Sequence, residues 1–397
     1  MTSKIQTDII EDTLPAWWVE TTLGDVAAKI ISWGTPSTQR EDFYGWNIPW
    51  IRTQEVNFNY IYETKIKITE AGLSWSSARW IPKDTVIIAM YGNSAWRVAY
   101  SKIEATTNQA CCNFVAESKK ANSLFIFFNL LSRYKEIESM SNGAAQQNLS
   151  VGVLKALKIS LPSPLEQQAI ASVLSSFDDK IELLREQNKI LEQLGQTIFQ
   201  EWFGKYGVDE ELPEGWRFGN LGEVIENFDS QRIPIASDKR EKWIYPYYGA
   251  TWINDYVEDY IFDWIYTLLG EDGSVIKDNG KPFTQYVWWK IWVNNHAHVL
   301  QGKDWFSTEL IKIILDHTNI TPYVNWAVQL KINQTNMNSI PIVIPIKEKL
   351  DEINTLIQPI FSKIRSNIEQ IQSISKARDE LLPRLMNGEL RVDNLIS

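Results

Sequence analysis

Residues 161–203 read LPSPLEQQAIASVLSSFDDKIELLREQNKILEQLGQTIFQEWF, and their apolar residues recur at alternating spacings of four and three. This register contains Ile170, Leu174, Phe177, Ile181, Leu184, Leu191, Ile198 and Trp202, with Asn188 and Gly195 in the same frame. Four-three spacing over about four heptads is typical of a coiled coil, whereas an ordinary surface helix shows a wider apolar stripe. An amphipathic helix packed on its own domain remains the alternative.

A second copy of this pattern follows near the end of the chain, where residues 337–364 align with residues 154–181. The second helix keeps the register at Ile353, Ile357, Ile360, Ile364, Ile371, Ile374, Leu381 and Leu385, with Asn367 and Arg378 as its polar members. A helix of about 35 to 40 residues is a rod of roughly 50 to 60 Å, which is too long for one small domain to cover. We therefore predict an antiparallel coiled coil of the two helices, with Asn188 and Asn367 setting its register.

The segments that precede the two helices also begin alike. LPAWWVETTLGDV at residues 14–26 recurs as LPEGWRFGNLGEV at residues 212–224. This separation far exceeds the roughly 20 to 50 residues of a solenoid repeat, so it indicates a duplicated domain. We predict a first domain at residues 1–160, a long helix at 161–206, a second domain at 207–345, a second long helix at 346–390 and a tail at 391–397.

Composition indicates an ordinary globular protein, with 44% hydrophobic and 22% charged residues. Neither a signal sequence nor an apolar run long enough to span a membrane is present, so we expect an intracellular protein with no membrane partner. The only cysteines, Cys111 and Cys112, are neighbours, which excludes a disulfide framework or a four-cysteine metal site. His296 and His298 would share one face of a strand, where packed or hydrogen-bonded histidines are favoured over metal ligands.

The two globular regions are predicted to be mainly β, which makes the fold class α+β. Short apolar runs such as DTVIIAMYG and HAHVLQG are separated by the turn signals Gly34-Thr35-Pro36, Tyr91-Gly92-Asn93 and Glu271-Asp272-Gly273-Ser274. Helices are predicted at residues 123–140 and 308–317.

Polar side chains cluster in the loops of both globular regions. Arg, Asn and Gln can make paired hydrogen bonds to guanine and adenine edges, although a solvated turn is the alternative for any one loop. The candidates are Arg52, Thr53, Gln54, Asn93, Ser94, Arg97, Thr107, Asn108 and Gln109 in the first region, and Gln231, Arg232, Thr251, Lys277 and Lys281 in the second.

The chain resembles the specificity subunits of type I restriction-modification enzymes. The resemblance is carried by residues 161–203 and by GTPST (34–38), NIPWIRTQEV (47–56), TTNQACC (106–112), YPYYGAT (245–251), NNHAHVL (294–300) and ELLPRLMNGEL (380–390). Thr35, Ser37, Tyr248 and His296 of these motifs, and Tyr91 of the turn signal at residues 91–93, complete the candidate DNA contacts.

The resemblance implies two target-recognition domains that each contact one half of a bipartite site in double-stranded DNA. The two long helices would set the unread spacer between the half-sites. It also implies two modification subunits that carry S-adenosylmethionine and methylate adenine. Restriction subunits would supply the ATPase and nuclease activities, with their ATP and Mg²⁺.

Catalytic motifs are not found in the sequence itself. There is no Asn/Asp-Pro-Pro-Tyr/Phe motif for methylating a base amine, and Gly273 to Lys281 departs from a phosphate-binding loop because Pro282 stands where Ser or Thr would hold magnesium. We therefore expect a non-catalytic chain with no cofactor or metal of its own. Its net charge of −10 predicts weak DNA binding in isolation.

Tryptophan is unusually frequent, with 18 residues. Trp17 aligns with Gly215, and Trp33, Trp96 and Trp252 also lie in turn-like contexts that favour glycine. Stacking surfaces for DNA are one interpretation, and altered positions or turns without a glycine requirement are the other. An aromatic-rich carbohydrate-binding or scaffold protein with a coiled-coil rod is the rival function.

Overall fold

Two long helices, α5 (Pro164–Phe203) and α9 (Lys347–Met386), each pass through two structural units. The computed structural model describes residues 15–142, 150–206, 211–240, 244–326 and 329–392, without the side chains of Asn93, Lys239 and residues 140–142. Within these ranges, unit 1 lies in residues 1–181 and 373–397, and unit 2 in residues 182–372. No helix in the described part combines the length and the hydropathy needed to cross a membrane.

Unit 1 is built mainly from short strands. They are β1 (Val19–Thr22), β2 (Ala27–Ile31), β3 (Tyr44–Ile51), β4 (Asn59–Ile61), β5 (Lys67–Ile68), β6 (Trp80–Ile81), β7 (Val86–Ala89), β8 (Val98–Ser101), β9 (Ala105–Thr107), β10 (Cys111–Ala116) and β11 (Lys158–Leu161). The shorter helices are α1 (Glu70–Ser74), α2 (Ser123–Ser132), α3 (Tyr134–Asn142) and α4 (Val151–Ala156).

The main sheet of unit 1 has the strand order β2-β10-β7-β8-β4. Its central strand β7, Val-Ile-Ile-Ala, is wholly buried, as expected for a strand covered on both faces. A second sheet has the order β5-β3-β9-β6, in which β3 and β9 run parallel. Cys111 and Cys112 are buried free thiols in β10, in agreement with the prediction that they pack as small hydrophobic residues.

The helix predicted at residues 123–140 is wrong in one respect, because it is two helices. Asn122 caps α2 by accepting a hydrogen bond from the Phe125 N–H at 3.0 Å. Arg133 leaves the helical conformation at the end of α2, and its guanidinium donates to the Lys158 carbonyl oxygen at 2.9 Å. The chain then turns into α3, so the apolar α2 and the more polar α3 separate at Arg133.

Unit 2 repeats the mixture of strands and short helices. Its strands are β12 (Arg217–Asn220), β13 (Ile225–Asn227), β14 (Tyr245–Tyr248), β15 (Ile253–Val257), β16 (Tyr266–Gly270), β17 (Thr284–Val287), β18 (Trp292–Val293), β19 (Ala297–Gly302) and β20 (Pro341–Ile344). Its shorter helices are α6 (Leu221–Val224), α7 (Thr308–His317) and α8 (Gln334–Asn338). The helix predicted at residues 308–317 is confirmed as α7.

The sheets of unit 2 have the orders β13-β19-β16-β17 and β15-β14-β18. Strand β16 is buried throughout and occupies the place that β7 has in unit 1. In the smaller sheet β14 and β18 run parallel, as β3 and β9 do in unit 1.

The internal repeat extends to the pairing of individual residues. In unit 1, β1 pairs antiparallel with β11, and Val19 faces Leu161. In unit 2, β12 pairs antiparallel with β20, and Arg217 faces Ile344. Each unit therefore closes its β region by joining the first strand to the strand just before a long helix, which confirms the internal repeat.

In unit 2 the long helices pack with their predicted seam positions inward. Asn188 and Asn367 are both buried, and the Asn367 Nδ2 donates to the Asn188 Oδ1 at 2.8 Å. Seven residues further along α5, Gly195 lies beside Phe361, six residues earlier in α9, so the two helices are antiparallel. Gly195 also lies beside Ile313 of α7, where a Cβ would stand 3.5 Å from the Ile313 Cδ1, an ordinary van der Waals contact.

In unit 1 the remaining parts of α5 and α9 share one hydrophobic cluster with the β region. Ile170 and Leu174 of α5 and Leu382 and Leu385 of α9 belong to it. Buried or half-buried positions in the two units are Ile170, Leu174, Phe177, Ile181, Leu184, Asn188, Leu191, Gly195 and Ile198 of α5, and Ile353, Ile357, Ile360, Ile364, Asn367, Ile371, Ile374, Leu381 and Leu385 of α9. The antiparallel coiled coil is confirmed.

Candidate nucleic-acid interface

The ends of two parallel strands bring polar residues together in unit 1. Trp50 of β3 faces Thr106 of β9, and both strands end at the same edge of the sheet. Arg52 follows β3, and Asn108 follows β9 with its N–H donating to the Ile51 carbonyl oxygen at 3.0 Å. We call Arg52, Asn108, Gln109 and Thr35 the strand-end site of unit 1. Thr35 is included because its hydroxyl accepts a hydrogen bond from the Gln109 N–H at 3.1 Å.

Arg52 carries a charge that no described residue neutralises. Its side chain is half-buried, its Nε is shielded from solvent, and that nitrogen has no hydrogen-bond partner among the described residues. The Asn108 Oδ1 is likewise shielded from solvent and has no hydrogen-bond partner among the described residues. Such atoms also occur elsewhere among the described residues, so it is the position of Arg52 and Asn108 at one strand edge that keeps them as candidate contacts. A guanidinium and an amide are the side chains that pair with guanine and adenine edges.

The loop between β7 and β8 is held by internal contacts. The Arg97 Nη1 donates to the Asn57 Oδ1 at 2.9 Å, and its guanidinium lies 5.9 Å from the Phe58 ring centroid. Trp96 has φ +68°, a left-handed conformation that glycine adopts more readily. Tyr91 is exposed and Ser94 half-buried, whereas the Asn93 side chain lies outside the described residues.

The structure removes Thr107 from the candidate surface. Thr107 is fully buried in β9, and its hydroxyl accepts a hydrogen bond from the Asn113 Nδ2 at 2.8 Å. A side chain without solvent exposure packs the core and does not contact DNA in this conformation. The neighbouring candidates differ, since Ser37, Gln54 and Gln109 are exposed and Thr53 is half-buried.

Unit 2 builds the same strand edge with other side chains. Tyr248 of β14 faces Val293 of β18, and the Asn294 N–H donates to the Tyr248 carbonyl oxygen at 3.0 Å. This bond matches the one between Asn108 and Ile51, so Thr251 follows β14 as Gln54 follows β3. Tyr248 itself is buried, and burial raises the pKa of its phenol to about 12. The prediction that Tyr248 contacts DNA is therefore not supported by its position.

Arg232 is also placed inside unit 2 rather than on its surface. Its side chain is only 11% exposed, and its Nη1 lies 2.7 Å from the Glu271 Oε2 and donates to the Ala297 carbonyl oxygen at 2.7 Å. The Arg232 Nη2 lies 3.5 Å from the Asp229 Oδ2. Sequence reasoning placed this arginine in a loop, but the neighbouring carboxylates draw it into a buried ion-pair network.

His298 completes this network. Its Nδ1 lies 2.5 Å from the Asp229 Oδ2, and its Nε2 lies 2.9 Å from the Ile332 carbonyl oxygen. Burial raises the pKa of Asp229, but bonds from His298, the Val299 N–H and Gln334 outweigh it and lower the pKa to about 2. The prediction of a hydrogen-bonded histidine is confirmed for His298.

Asp229, Glu271 and His298 also have the chemistry and spacing of a metal-binding group, with one ligand atom each within 4.8 Å of the others. Their atoms are already engaged, however. Glu271 pairs with Arg232 and, at 3.2 Å, with the Lys331 Nζ. A divalent cation would have to displace two protein cations, so the arrangement acts as a closed ion-pair network.

The remaining candidates of unit 2 lie on its surface. Lys277 and Lys281 bracket a turn in which the Lys277 N–H donates to the Lys281 carbonyl oxygen at 2.8 Å. Lys277 is exposed, with its ammonium 5.6 Å from the Phe283 ring centroid, and Lys281 is half-buried. His296 is 47% exposed on its side chain and its Nδ1 contacts Asp272, so a carboxylate competes with DNA for that nitrogen. Gln231 is exposed and Thr251 half-buried.

Sequence reasoning missed Asn294 and Asn295 as members of the unit 2 edge. They follow β18 as Asn108 and Gln109 follow β9, and Asn295 is exposed. The segments NQAC (108–111) and NNHA (294–297) carried this signal, since each places an asparagine three residues before the first residue of a buried strand.

Comparisons with known proteins identify the family. The model of the type I restriction modification DNA specificity domain matches residues 15–193 and again residues 213–376. The MjaIX specificity subunit of Methanocaldococcus jannaschii is 29% identical over 98% of this chain and 97% of its own length. The HindI specificity subunit of Haemophilus influenzae is 21% identical over 94% of this chain and 99% of its own length.

The fold is shared with a solved structure. The type I restriction-modification S subunit from M. genitalium superimposes with a TM-score of 0.60 at 16% identity, over 97% of this chain and 99% of that one. Of the two matches to one family model, the first falls mainly in unit 1 and the second almost wholly in unit 2. The chain thus belongs to the family of type I restriction-modification DNA specificity domains, and it is a non-catalytic specificity subunit.

Proposed function

We propose that this specificity subunit reads a bipartite DNA target, with each unit contacting one half-site and the long helices setting an unread spacer. The observation that carries the proposal is the strand edge built twice, with Asn108 bonded to Ile51 in unit 1 and Asn294 bonded to Tyr248 in unit 2. The backbone arrangement is common to both edges, whereas the side chains that follow the strands differ. Two edges with different side chains favour two half-sites of different sequence.

The length of the helices supports a proposal for the spacer. Each long helix has 40 residues. At 1.5 Å per residue this corresponds to about 60 Å. That length spans a little under two turns of DNA at about 34 Å per turn. We propose that this fixed length, rather than any base contact, determines the number of base pairs between the half-sites.

Partner subunits are proposed to supply the chemistry. We assign S-adenosylmethionine to two modification subunits, and ATP and Mg²⁺ to restriction subunits. In unit 2, Leu183, Ile190 and Leu194 of α5 form an exposed apolar stripe with spacings of seven and four residues. Such spacing keeps the three side chains on one face of a helix, which suits docking of a partner helix. The net charge of −10 also favours DNA binding by the complex over binding by the chain alone.

Methylome sequencing tests the proposal. A host that expresses this chain with its matched modification subunit should show one bipartite motif, with adenine methylated in both halves and a fixed gap. Replacing residues 15–161 with the same region of another family member should change one half of that motif. The matched replacement of residues 213–344 should change only the other half. Alteration of both halves by a single replacement would contradict the assignment of one half-site to each unit.

A rival function has less support. A carbohydrate-binding protein would use exposed tryptophans such as Trp46, Trp75 and Trp252 for stacking. The family match is to a DNA specificity domain, which favours DNA as the ligand. Recovery of methyltransferase-type partners in a pull-down distinguishes the two functions.

A further inference from the structure

A tyrosine, a carboxylate and an arginine join the β region of unit 1 to both long helices. The Tyr60 hydroxyl of β4 donates to the Asp178 Oδ2 of α5 at 3.0 Å. The other oxygen of Asp178 accepts from the Arg378 Nη1 of α9 at 2.5 Å. We call these three residues clamp 1. Arg378 is a seam position of the coiled coil, so clamp 1 ties one β strand directly to the seam.

Unit 2 has a cluster of the same three groups. The Tyr286 hydroxyl of β17 donates to the Glu309 Oε1 of α7 at 2.7 Å, and the Arg365 Nη1 of α9 donates to the same oxygen at 3.0 Å. The Arg365 Nη1 also donates to the Tyr286 hydroxyl, which joins this strand directly to the coil. The Tyr286 ring also packs edge-on against Phe361 of α9, with centroids 4.9 Å apart. We call Tyr286, Glu309 and Arg365 clamp 2.

The two clamps are not copies produced by the duplication. Tyr100 lies opposite Val86, and Tyr286 lies opposite Thr267. Val86 and Thr267 are equivalent, because each stands two residues before one of the equivalent positions Ile88 and Leu269. Tyr286 therefore occupies the place of Tyr100, which is not in clamp 1. The Tyr100 hydroxyl donates to the Asp84 Oδ1 at 3.1 Å and so stays within the β region. The same chemistry was thus assembled at two different places.

Both clamps bury charged side chains, which by itself does not favour the folded state. The side chains of Asp178 and Glu309 are 10% and 8% exposed. Burial and the adjacent carboxylate raise the pKa of Tyr60 and, in unit 2, of Tyr286, so both phenols remain neutral donors. A buried ion pair is often no more stabilising than apolar residues of the same size, and its attested use is to specify one geometry. A directional bond from a β strand to the coil restricts rotation of the β region, which apolar contacts alone allow.

We propose that the two clamps are positioning devices that fix the orientation of each β region on its own stretch of coil and thereby limit the spacer lengths that the subunit accepts. This inference rests on the proposed reading of a bipartite target. A β region that can rotate on its coil reaches half-sites one base pair nearer or farther. Loss of a clamp therefore relaxes the spacer length and leaves the bases read within each half-site unchanged.

The test uses the full complex of this chain with its matched modification subunit and S-adenosylmethionine. The probes are DNA duplexes that carry the two half-sites found by methylome sequencing, with the spacer at its natural length or changed by one or two base pairs. Tyr60→Phe and Tyr286→Phe remove one hydroxyl from each clamp, and Tyr100→Phe is the matched control because its hydroxyl does not reach the coil. Arg378→Gln and Arg365→Gln provide a second variant of each clamp, and circular dichroism establishes that the variants are folded.

Tyr60→Phe and Tyr286→Phe should each raise the ratio of methylation on altered spacers to that on the natural spacer by roughly tenfold, the size expected for one lost hydrogen bond to a charged group. Tyr100→Phe should leave that ratio unchanged. Folded clamp variants with the wild-type ratio would overturn the inference, as would relaxation of the same size in Tyr100→Phe. A wild-type complex with no preferred spacer would instead overturn the proposed function itself.

Discussion

The strand edges of the two units share a backbone arrangement but differ in what lies beneath them. Under the edge of unit 1, Met90 and Cys112 are buried in an apolar cluster. At the equivalent places of unit 2, Glu271 and His298 belong to a buried ion-pair network. The arginine of unit 1, Arg52, lacks a described ion-pair partner, whereas Arg232 of unit 2 is enclosed by two carboxylates.

Arg52 and Arg232 look equivalent in the sequence but have different surroundings in the structure. Both arginines follow strands in polar loops and both suit base recognition. Arg52 is half-buried without a described ion-pair partner, whereas the charge of Arg232 is balanced by two carboxylates. The residue type thus gives the chemistry, and the neighbouring carboxylates decide whether that chemistry serves the fold or a ligand.

The largest effect is expected when the buried network is broken. Arg232→Met leaves Asp229 and Glu271 with less positive charge inside unit 2, and it should lower the free energy of unfolding by about 3 to 5 kcal/mol. Lys277→Met, on the exposed surface of the same unit, should change it by less than about 0.5 kcal/mol. Urea unfolding measures both. Retained stability in Arg232→Met together with a changed DNA preference would place Arg232 at the interface after all.

Arg52→Ala should have the opposite profile. We expect a loss of DNA binding by the complex of about 1 to 3 kcal/mol, confined to one base position of one half-site. The stability of the chain should change little, because no described ion pair is lost. Lys135→Ala removes the same charge from an exposed helix of unit 1 and serves as the control. Binding assays with half-site libraries measure both, and an unchanged base preference in Arg52→Ala would contradict the strand-end site.

Lowering the pH should destabilise unit 2 before unit 1. The pKa of Asp229 is about 2 in the folded chain, below its ordinary value of 3.8. Its carboxylate therefore contributes stability above about pH 4, and this contribution of about 2 kcal/mol is lost as the pH falls through about 2. Hydrogen exchange corrected for intrinsic rates should show β13 and β19 losing protection before β2 and β10. Equal loss in the two units would show that the network does not dominate acid stability.

The smallest effect concerns the first turn of each unit. Gly215 has φ +80°, and a Cβ there would lie 2.7 Å from the Ile346 Cγ2, so Gly215→Ala should cost about 1 kcal/mol. The aligned residue Trp17 is exposed and does not have a positive φ, so Trp17→Gly should change stability by less than about 0.5 kcal/mol. Thermal unfolding of the two variants compares them directly. A larger loss in Trp17→Gly would mean that the tryptophan packs on a surface of its own.

The coiled coil could be predicted because its signal is periodic and local. The same spacing that placed Asn188 and Asn367 in the seam also determines which side chains are buried along a helix. Repeated segments could likewise be aligned, and the alignment predicts that the two units share one arrangement, which the pairings of β1 with β11 and of β12 with β20 show. Long-range pairing of short strands is less evident, since a four-residue apolar run does not specify its neighbour.

The candidate site was less accessible to sequence reasoning. Thr107 and Tyr248 lie next to exposed loop residues in the sequence, but strand alternation turns their side chains into the core. Arg232 meets Glu271 only because β16 and β19 bring distant segments together. Such contacts depend on tertiary structure, and no residue spacing along the chain predicts them.

The paired asparagines also constrain how this protein can evolve. An insertion in α5 alone would carry Asn188 away from Asn367 and leave a buried amide without its partner, at a cost of about 1 to 3 kcal/mol. Matching insertions in both helices would preserve the pair. Under the proposed role of the helices in setting the spacer, new spacer lengths are therefore expected to arise from coordinated changes in both helices.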